Sequence, residues 1–196
     1  MLINRFSHYF HTLGFQSHTT GRMKNFYGPN GKIWGYFHDN HFAFIVYDLP
    51  TDTSKIASTS LSFLHVVHYF ERSGQIEIQV GIPELEFCSE NLPQKGIVLV
   101  VTDELLRYIQ QWYEVDKGVI DQLFDCEPCD TISTPLLAAL QSIEQFRPSL
   151  LAADTYYKSK LHEIMAILIH RLDQSALTNW TKEIQPFMKA QLATGL

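Results

Sequence analysis

The sequence has few cysteines, no clusters of basic residues and no long apolar run, and each shortage excludes a class of protein. Three cysteines in 196 residues form no disulfide framework, which favours a reducing compartment. The 15 Lys and Arg residues are scattered and the net charge is -6, which argues against a nucleic-acid surface because phosphates are bound by grouped cations. No apolar run approaches the roughly 20 residues of a membrane span, and the start lacks a secretory signal. We therefore expect a cytoplasmic protein without a membrane partner.

The common enzyme motifs are missing as well. The chain has no Gly-rich phosphate loop, no Gly-x-Ser-x-Gly nucleophile elbow and no His-Glu-x-x-His metal motif. We therefore expect no catalytic residues and no cofactor.

Apolar and aromatic residues are plentiful, and their spacing changes along the chain. Hydrophobic residues make up 45% of the sequence, with 13 Phe and 9 Tyr, which is enough to fill one sizeable core. Residues 1–30 predict an N-terminal helix or arm, residues 31–102 a β-structure, and residues 103–196 a helical part. Strands followed by helices indicate an α+β fold.

A hairpin is predicted from residue 33 to residue 47, with Asp39 and Asn40 as a two-residue turn. That register places Trp34, Tyr36 and Tyr47 on one face of the hairpin. Apolar residues fill both faces, which indicates strands that are covered twice or that border a cavity.

The helical part contains a long helix at about 154–173. Apolar residues at helical spacing form a broad stripe along it, wide enough to face a partner as well as a core. A weaker helical stretch follows at residues 179–192, where Pro186 predicts a kink or an early end.

Two histidine pairs could bind a metal, but their geometries differ. His65 and His68 are three residues apart on a predicted strand, so they lie on opposite faces and cannot share an ion. His38 and His41 flank the predicted turn, where their side chains can converge. No carboxylate at suitable spacing completes a set, and histidines at a turn are more often exposed polar residues than ligands.

Cys126 and Cys129 have the spacing of a thiol redox pair or of half a zinc site. They lie between predicted helices rather than in a βαβ unit, and further zinc ligands are not evident. Two reduced cysteines in a loop or core are the simpler interpretation.

The aromatic residues of the β-structure suggest a ligand cavity, with plain core packing as the alternative. The residues that we expect to line such a cavity are Trp34, Tyr36, Tyr47, His65 and Tyr69.

Three stretches of the sequence resemble the N-terminal regulatory domain of AraC-type transcription regulators. They are Phe-Leu-His-Val-Val-His-Tyr-Phe-Glu-Arg-Ser-Gly at 63–74, Leu-Pro-Gln-Lys-Gly-Ile-Val-Leu-Val-Val-Thr-Asp-Glu-Leu-Leu at 92–106, and Tyr-Tyr-Lys-Ser-Lys-Leu-His-Glu-Ile-Met-Ala-Ile-Leu-Ile at 156–169. The resemblance implies a cupin-like, jelly-roll-like β-barrel that binds a small-molecule effector, followed by a helical part that forms a homodimer. It also implies that DNA is bound only through a downstream helix-turn-helix domain, which is absent from this chain.

The sequence therefore predicts a non-enzymatic effector-binding and dimerisation domain of an AraC-type regulator. We expect the dimer interface on the stripe of the long helix, at Tyr157, Leu161, Ile164 and Leu168. Two alternatives stay open. One is a metal-dependent cupin enzyme of the isomerase or dioxygenase type, with His38 and His41 among its ligands, and the other is a stand-alone interaction module.

Overall fold

The computed structural model of the chain describes residues 2–29, 31–49, 57–60, 64–72, 75–80, 84–87, 94–123 and 134–194. The cysteine pair at 126 and 129 lies outside these ranges. The N-terminal part contains α1 (Leu2–Thr12), β1 (Gln16–Thr20), β2 (Met23–Gly28), β3 (Gly31–His38) and β4 (Phe42–Leu49). The middle part contains β5 (Ala57–Ser60), β6 (Leu64–Arg72), β7 (Gln75–Val80), β8 (Glu84–Phe87) and β9 (Gln94–Thr102). The helices that follow are α2 (Asp103–Trp112), α3 (Lys117–Leu123), α4 (Thr134–Gln145) and α5 (Leu150–Thr194).

The strands form one large antiparallel sheet and a separate pair. The large sheet has seven strands in the order β1-β2-β3-β4-β9-β6-β7, and β5 pairs with β8. Among the described residues no pairing joins β1 to β7, so the sheet is open. The mixed α+β class is confirmed, whereas the closed cupin-like barrel is not. The sheet begins at Gln16, ahead of the boundary at residue 31 that the sequence predicted.

The sheet is covered by helices on both faces. On one face α1 buries Phe6 and Phe10 against the strands, because apolar residues four apart lie on one side of a helix. On the other face α2 to α5 pack over the strands and share one apolar core with them. Strands β4 and β9 are buried on both sides as a result. The prediction of doubly covered strands is confirmed.

The turn between β3 and β4 contains three residues rather than two. His38 pairs with Phe42, and Asp39 has a positive φ of 47°. A shift of one residue reverses which face every side chain of a strand points to. Tyr47 therefore packs in the core beneath α1, whereas Tyr36 packs in the core beneath α2 to α5. The prediction that Trp34, Tyr36 and Tyr47 share one face was wrong for this reason.

Helix α5 is longer than the sequence predicted. It runs without interruption for 45 residues and includes Pro186, which gives a length of about 68 Å. The four side chains expected at a dimer interface are only 0–3% exposed and belong to the core between α5 and the sheet; they are Tyr157, Leu161, Ile164 and Leu168. This corrects the expectation that they form an outer surface, since the chain itself covers them. Among the described residues, no helix has both the length and the apolar character that crossing a membrane requires.

Candidate functional site

A pocket of about 430 Å³ opens where the β3–β4 turn meets α2 and α5. Three parts of the chain that are distant in sequence contribute to it: His38, His41 and Phe42 from the turn region; Leu105, Tyr108 and Trp112 from α2; Lys158, Leu161 and His162 from α5. The helical residues come from one side of each helix, because positions three and four apart are neighbours on the helix surface. The volume lies in the range of roughly 300–1,000 Å³ that is usual for small-molecule sites.

Flat rings form most of the pocket wall. On α2 the rings of Tyr108 and Trp112 are stacked with centroids 6.1 Å apart, and Trp112 also lies 5.3 Å from the ring of His162. On the sheet side His38 stacks on Phe42 at 5.0 Å with an interplanar angle of 8°. Although they belong to a packed region, Tyr108 and Trp112 are 44% and 55% exposed. Large aromatic side chains exposed at the mouth of a concave site are typical of ligand binding.

Two buried polar atoms at the pocket have no hydrogen-bond partner. The Nδ1 atoms of His38 and His41 are both buried and unpartnered, and their rings lie 5.8 Å apart. A buried polar atom without a partner costs about 1–3 kcal/mol, so such atoms tend to mark a place where a ligand or water completes the bonding. By contrast, the hydroxyl of Tyr113 lies 2.9 Å from Nδ1 of His162 and fixes that ring.

The ionisable side chains that line the pocket are lysine and histidine. Lys158 and three histidines face it, and no carboxylate is among the lining residues. Burial, and next the positive charges of Arg22 and Lys158, lower the pKa of His38 below its usual value. These effects favour the neutral form of His38, and the charges of Asp39 and Asp154 oppose them.

Next to the pocket, a polar network ties α5 to the sheet. Arg22, in the β1–β2 turn, pairs with Asp154 of α5 and with Asp39 at 2.8 Å. The hydroxyl of Tyr36 donates a hydrogen bond of 2.7 Å to Asp154. This hydrogen bond lowers the pKa of the Asp154 carboxyl, and the charges of Arg22 and Lys158 lower it further. These contacts hold the start of α5 against the β1–β2 turn, the β3–β4 turn and β3.

The five residues expected to line a ligand cavity do not form one site. Trp34 lies under the guanidinium of Arg147, 5.2 Å from its ring centre, and Tyr36 belongs to the polar network. His65 donates to Asp103 at 2.7 Å, and Tyr69 is buried in the core under the helices. Tyr47 is on the opposite face of the sheet, where its hydroxyl lies 2.7 Å from Nε2 of His68.

The structure agrees only in part with the alternative prediction of a metal site. His38 and His41 do approach each other, as the hairpin predicted. Within the ranges that the structure describes, however, no group of three or more His, Cys, Asp or Glu side chains could hold a metal ion. A site there would need further ligands from outside these side chains.

The sequence predicted a role for three of the nine lining residues, His38 and His41 as metal ligands and Leu161 at a dimer interface, and assigned no role to the other six. A signal existed, since Tyr108 and Trp112 are four apart on α2, and Lys158 and His162 are four apart on α5. Neither pair predicts a site by itself, because the pocket forms only where the two helices pack over the β3–β4 turn.

No protein-family model matches this chain, and neither the curated proteins nor the solved structures include a significant match. The resemblance to AraC-type regulatory domains stays a prediction.

Proposed function

We propose that the chain is a cytoplasmic regulatory domain of the AraC type, in which a small-molecule effector binds the pocket between the β3–β4 turn, α2 and α5. The observation that carries this proposal is the pocket itself, where unpartnered imidazole nitrogens and exposed aromatic rings converge. DNA would be contacted by a helix-turn-helix domain and not by the residues described, whose pocket and polar network offer no extended basic surface. The cupin-like barrel and a helical homodimer belong to the same proposal.

The route from effector to response would run through α5. This helix supplies Lys158, Leu161 and His162 to the pocket and continues to Thr194. An effector shifts an equilibrium only by binding one arrangement more tightly than another. A molecule that bridges the β3–β4 turn and α5 would favour the arrangement in which the two are closest, and the helix would carry that change to its far end.

A metabolite screen tests effector binding. Compounds that bind the native chain raise its melting temperature. We expect such compounds to stabilise the parent chain and Phe146→Ala but to lose their effect on Trp112→Ala. The two positions are matched, because both side chains are 55% exposed and only Trp112 lines the pocket. Equal shifts in both variants, or no stabilising compound at all, would contradict the proposal.

Two further measurements address the response. Hydrogen exchange of the amides of residues 150–194 should slow when a stabilising compound is bound, and unchanged exchange along α5 would argue against a signalling role for this helix. Sedimentation velocity over a range of protein concentrations, with and without the compound, tests the homodimer. A monomer under both conditions would remove dimerisation from the proposal.

A metal-dependent cupin enzyme is the second candidate, favoured by the adjacent unpartnered nitrogens of His38 and His41. Metal analysis of the purified chain decides between the two. Stoichiometric iron, manganese or zinc that is lost in His41→Ala would favour the enzyme. Metal-free protein that still binds compounds through Trp112 would favour the regulatory domain.

A further inference from the structure

The effector pocket has a chemical character that narrows the class of its ligand, and this step rests on the proposed function. Rings from two parts of the fold line it: Tyr108 and Trp112 on α2, and His38 stacked on Phe42 at the sheet, with the His41 ring edge-on to that of Tyr108 at 6.0 Å. A flat ligand can stack on such ring faces, whereas a bulky aliphatic ligand gains no such contact. The volume of about 430 Å³ accommodates a one-ring or two-ring molecule.

Charge sets the second requirement. Lys158 reaches the pocket, and its Nζ is 4.0 Å from the nearest oxygen of Asp154. That carboxylate is already engaged by Arg22 and by the hydroxyl of Tyr36. The interaction between Asp154 and Lys158 is therefore weak, and the ammonium group of Lys158 can bind an anionic group of a ligand.

Hydrogen-bonding groups set the third requirement. The Nδ1 atoms of His38 and His41 are buried and unpartnered, and a neutral imidazole nitrogen can donate or accept according to its tautomer. An oxygen acid placed beside Lys158 offers acceptors to such nitrogens. Asp39, 4.0 Å from Nδ1 of His38, and Asp154 are the nearby carboxylates, but neither lines the pocket, and both pair with Arg22.

From these observations together we infer that the pocket binds a planar aromatic carboxylate, with its ring between the α2 aromatics and the His38–Phe42 pair and its carboxylate at Lys158. This assigns Lys158 as the charge-recognising residue of the site and Trp112 as the principal ring contact.

Isothermal titration of the full chain with three probes tests this assignment. The probes are 2-naphthoate, its neutral amide 2-naphthamide, and the non-planar anion cyclohexanecarboxylate. We expect 2-naphthoate to bind at least about tenfold more tightly than 2-naphthamide, since one charge-assisted contact is worth about that factor, and more tightly than cyclohexanecarboxylate, which keeps the charge but has no flat ring face to stack on the aromatic side chains.

Variants locate the contacts. Lys158→Met should weaken 2-naphthoate about tenfold and leave 2-naphthamide unchanged, and the unchanged amide shows that the pocket is intact. Lys32→Met is the control, because Lys32 is exposed and pairs with Asp48 away from the pocket. Trp112→Ala should weaken both naphthyl probes, and Phe146→Ala neither.

Each adverse outcome has a distinct meaning. Equal binding of acid and amide, or no effect of Lys158→Met, overturns the anion assignment while leaving a small-molecule pocket in place. Equal binding of cyclohexanecarboxylate overturns the planar requirement. If no probe binds, the inference fails as a whole. The metabolite screen, which is not confined to aromatic acids, then tests the proposed function by itself.

Discussion

The phenol ring of Tyr36 on β3 stacks on that of Tyr157 on α5, with centroids 4.5 Å apart and planes inclined by 18°. The two hydroxyl groups differ in their hydrogen bonding. That of Tyr36 donates to Asp154, whereas that of Tyr157 is buried without a hydrogen-bond partner. The pair joins the sheet to α5 directly before Lys158 and one turn before Leu161, so any movement of α5 at the pocket must disturb this contact.

Removing each hydroxyl of this pair should have a different effect on stability. Tyr157→Phe keeps the ring and removes an unsatisfied polar group, so the free energy of unfolding should stay the same or rise by up to about 1 kcal/mol. Tyr36→Phe loses a hydrogen bond to a partly exposed carboxylate and should lower it by about 1–2 kcal/mol. Urea denaturation measures both. A loss of stability in Tyr157→Phe as large as in Tyr36→Phe would show that its hydroxyl has a partner.

The pH dependence of stability should depend on Asp154. The folded-state pKa of its carboxyl is lowered below its usual value, chiefly by the hydrogen bond from Tyr36. Its contribution is therefore fully present above about pH 4 and is lost as the pH falls through the folded-state pKa. Asp154→Asn should lower the free energy of unfolding by about 1 kcal/mol at pH 7, a modest amount because the carboxylate is partly exposed to solvent. The difference in unfolding free energy between variant and parent should become smaller below pH 4.

Glu163→Gln is the control for this experiment. Glu163 lies on the same helix, its side chain is 46% exposed against 45% for Asp154, and it pairs with Lys160 of the same helix rather than with the sheet. We expect Glu163→Gln to lower the free energy of unfolding by about 0.5 kcal/mol or less. If the two substitutions have equal effects at every pH, Asp154 does not anchor α5 as described.

The buried stripe of α5 should govern folding of the single chain. Leu168→Ala should lower the free energy of unfolding by about 2–5 kcal/mol, because Leu168 is 3% exposed in the core. Leu151→Ala, on the same helix at 98% exposed, should change it by less than about 0.5 kcal/mol. Denaturation at two protein concentrations separates this from loss of a dimer. If Leu168→Ala lowers the free energy of unfolding only at the higher protein concentration, the apolar stripe of α5 is a dimer interface after all.

Gly96 on β9 leaves room for Tyr47. A Cβ at this position would overlap the Tyr47 hydroxyl and lie 2.5 Å from the backbone oxygen of Tyr69. Gly96→Ala should therefore destabilise the chain by about 1–3 kcal/mol or more. At Gly118 the nearest neighbour of an added Cβ is a side-chain oxygen of Asp116 at 3.3 Å, and Gly118→Ala on α3 should be neutral or stabilising by up to about 1 kcal/mol. Equal melting temperatures of the two variants would contradict this packing.

Local patterns in the sequence predicted the order of element types, because strand and helix periods are carried by neighbouring residues. The register of the β3–β4 hairpin depended on one loop residue. The structure adds His41 to the predicted turn of Asp39 and Asn40, and this extra residue reverses the faces of β4. The extent of α5 was underestimated because residues 154–173 and residues 179–192 were predicted as two separate helical stretches, whereas they belong to one continuous helix. The α2 and α5 walls of the pocket arise from packing between distant segments, which a pattern within either helix does not report.

The central claim is that a small molecule binds between the β3–β4 turn, α2 and α5. The chain contains three tryptophans, so fluorine NMR of protein labelled with 5-fluorotryptophan should give one resonance for each, assigned by single Trp→Phe substitutions. On addition of the compound that raises the melting temperature most, the Trp112 resonance should shift while that of Trp34 stays in place. A shift of Trp34 with Trp112 unchanged would contradict the account and place the ligand at the other end of the sheet face.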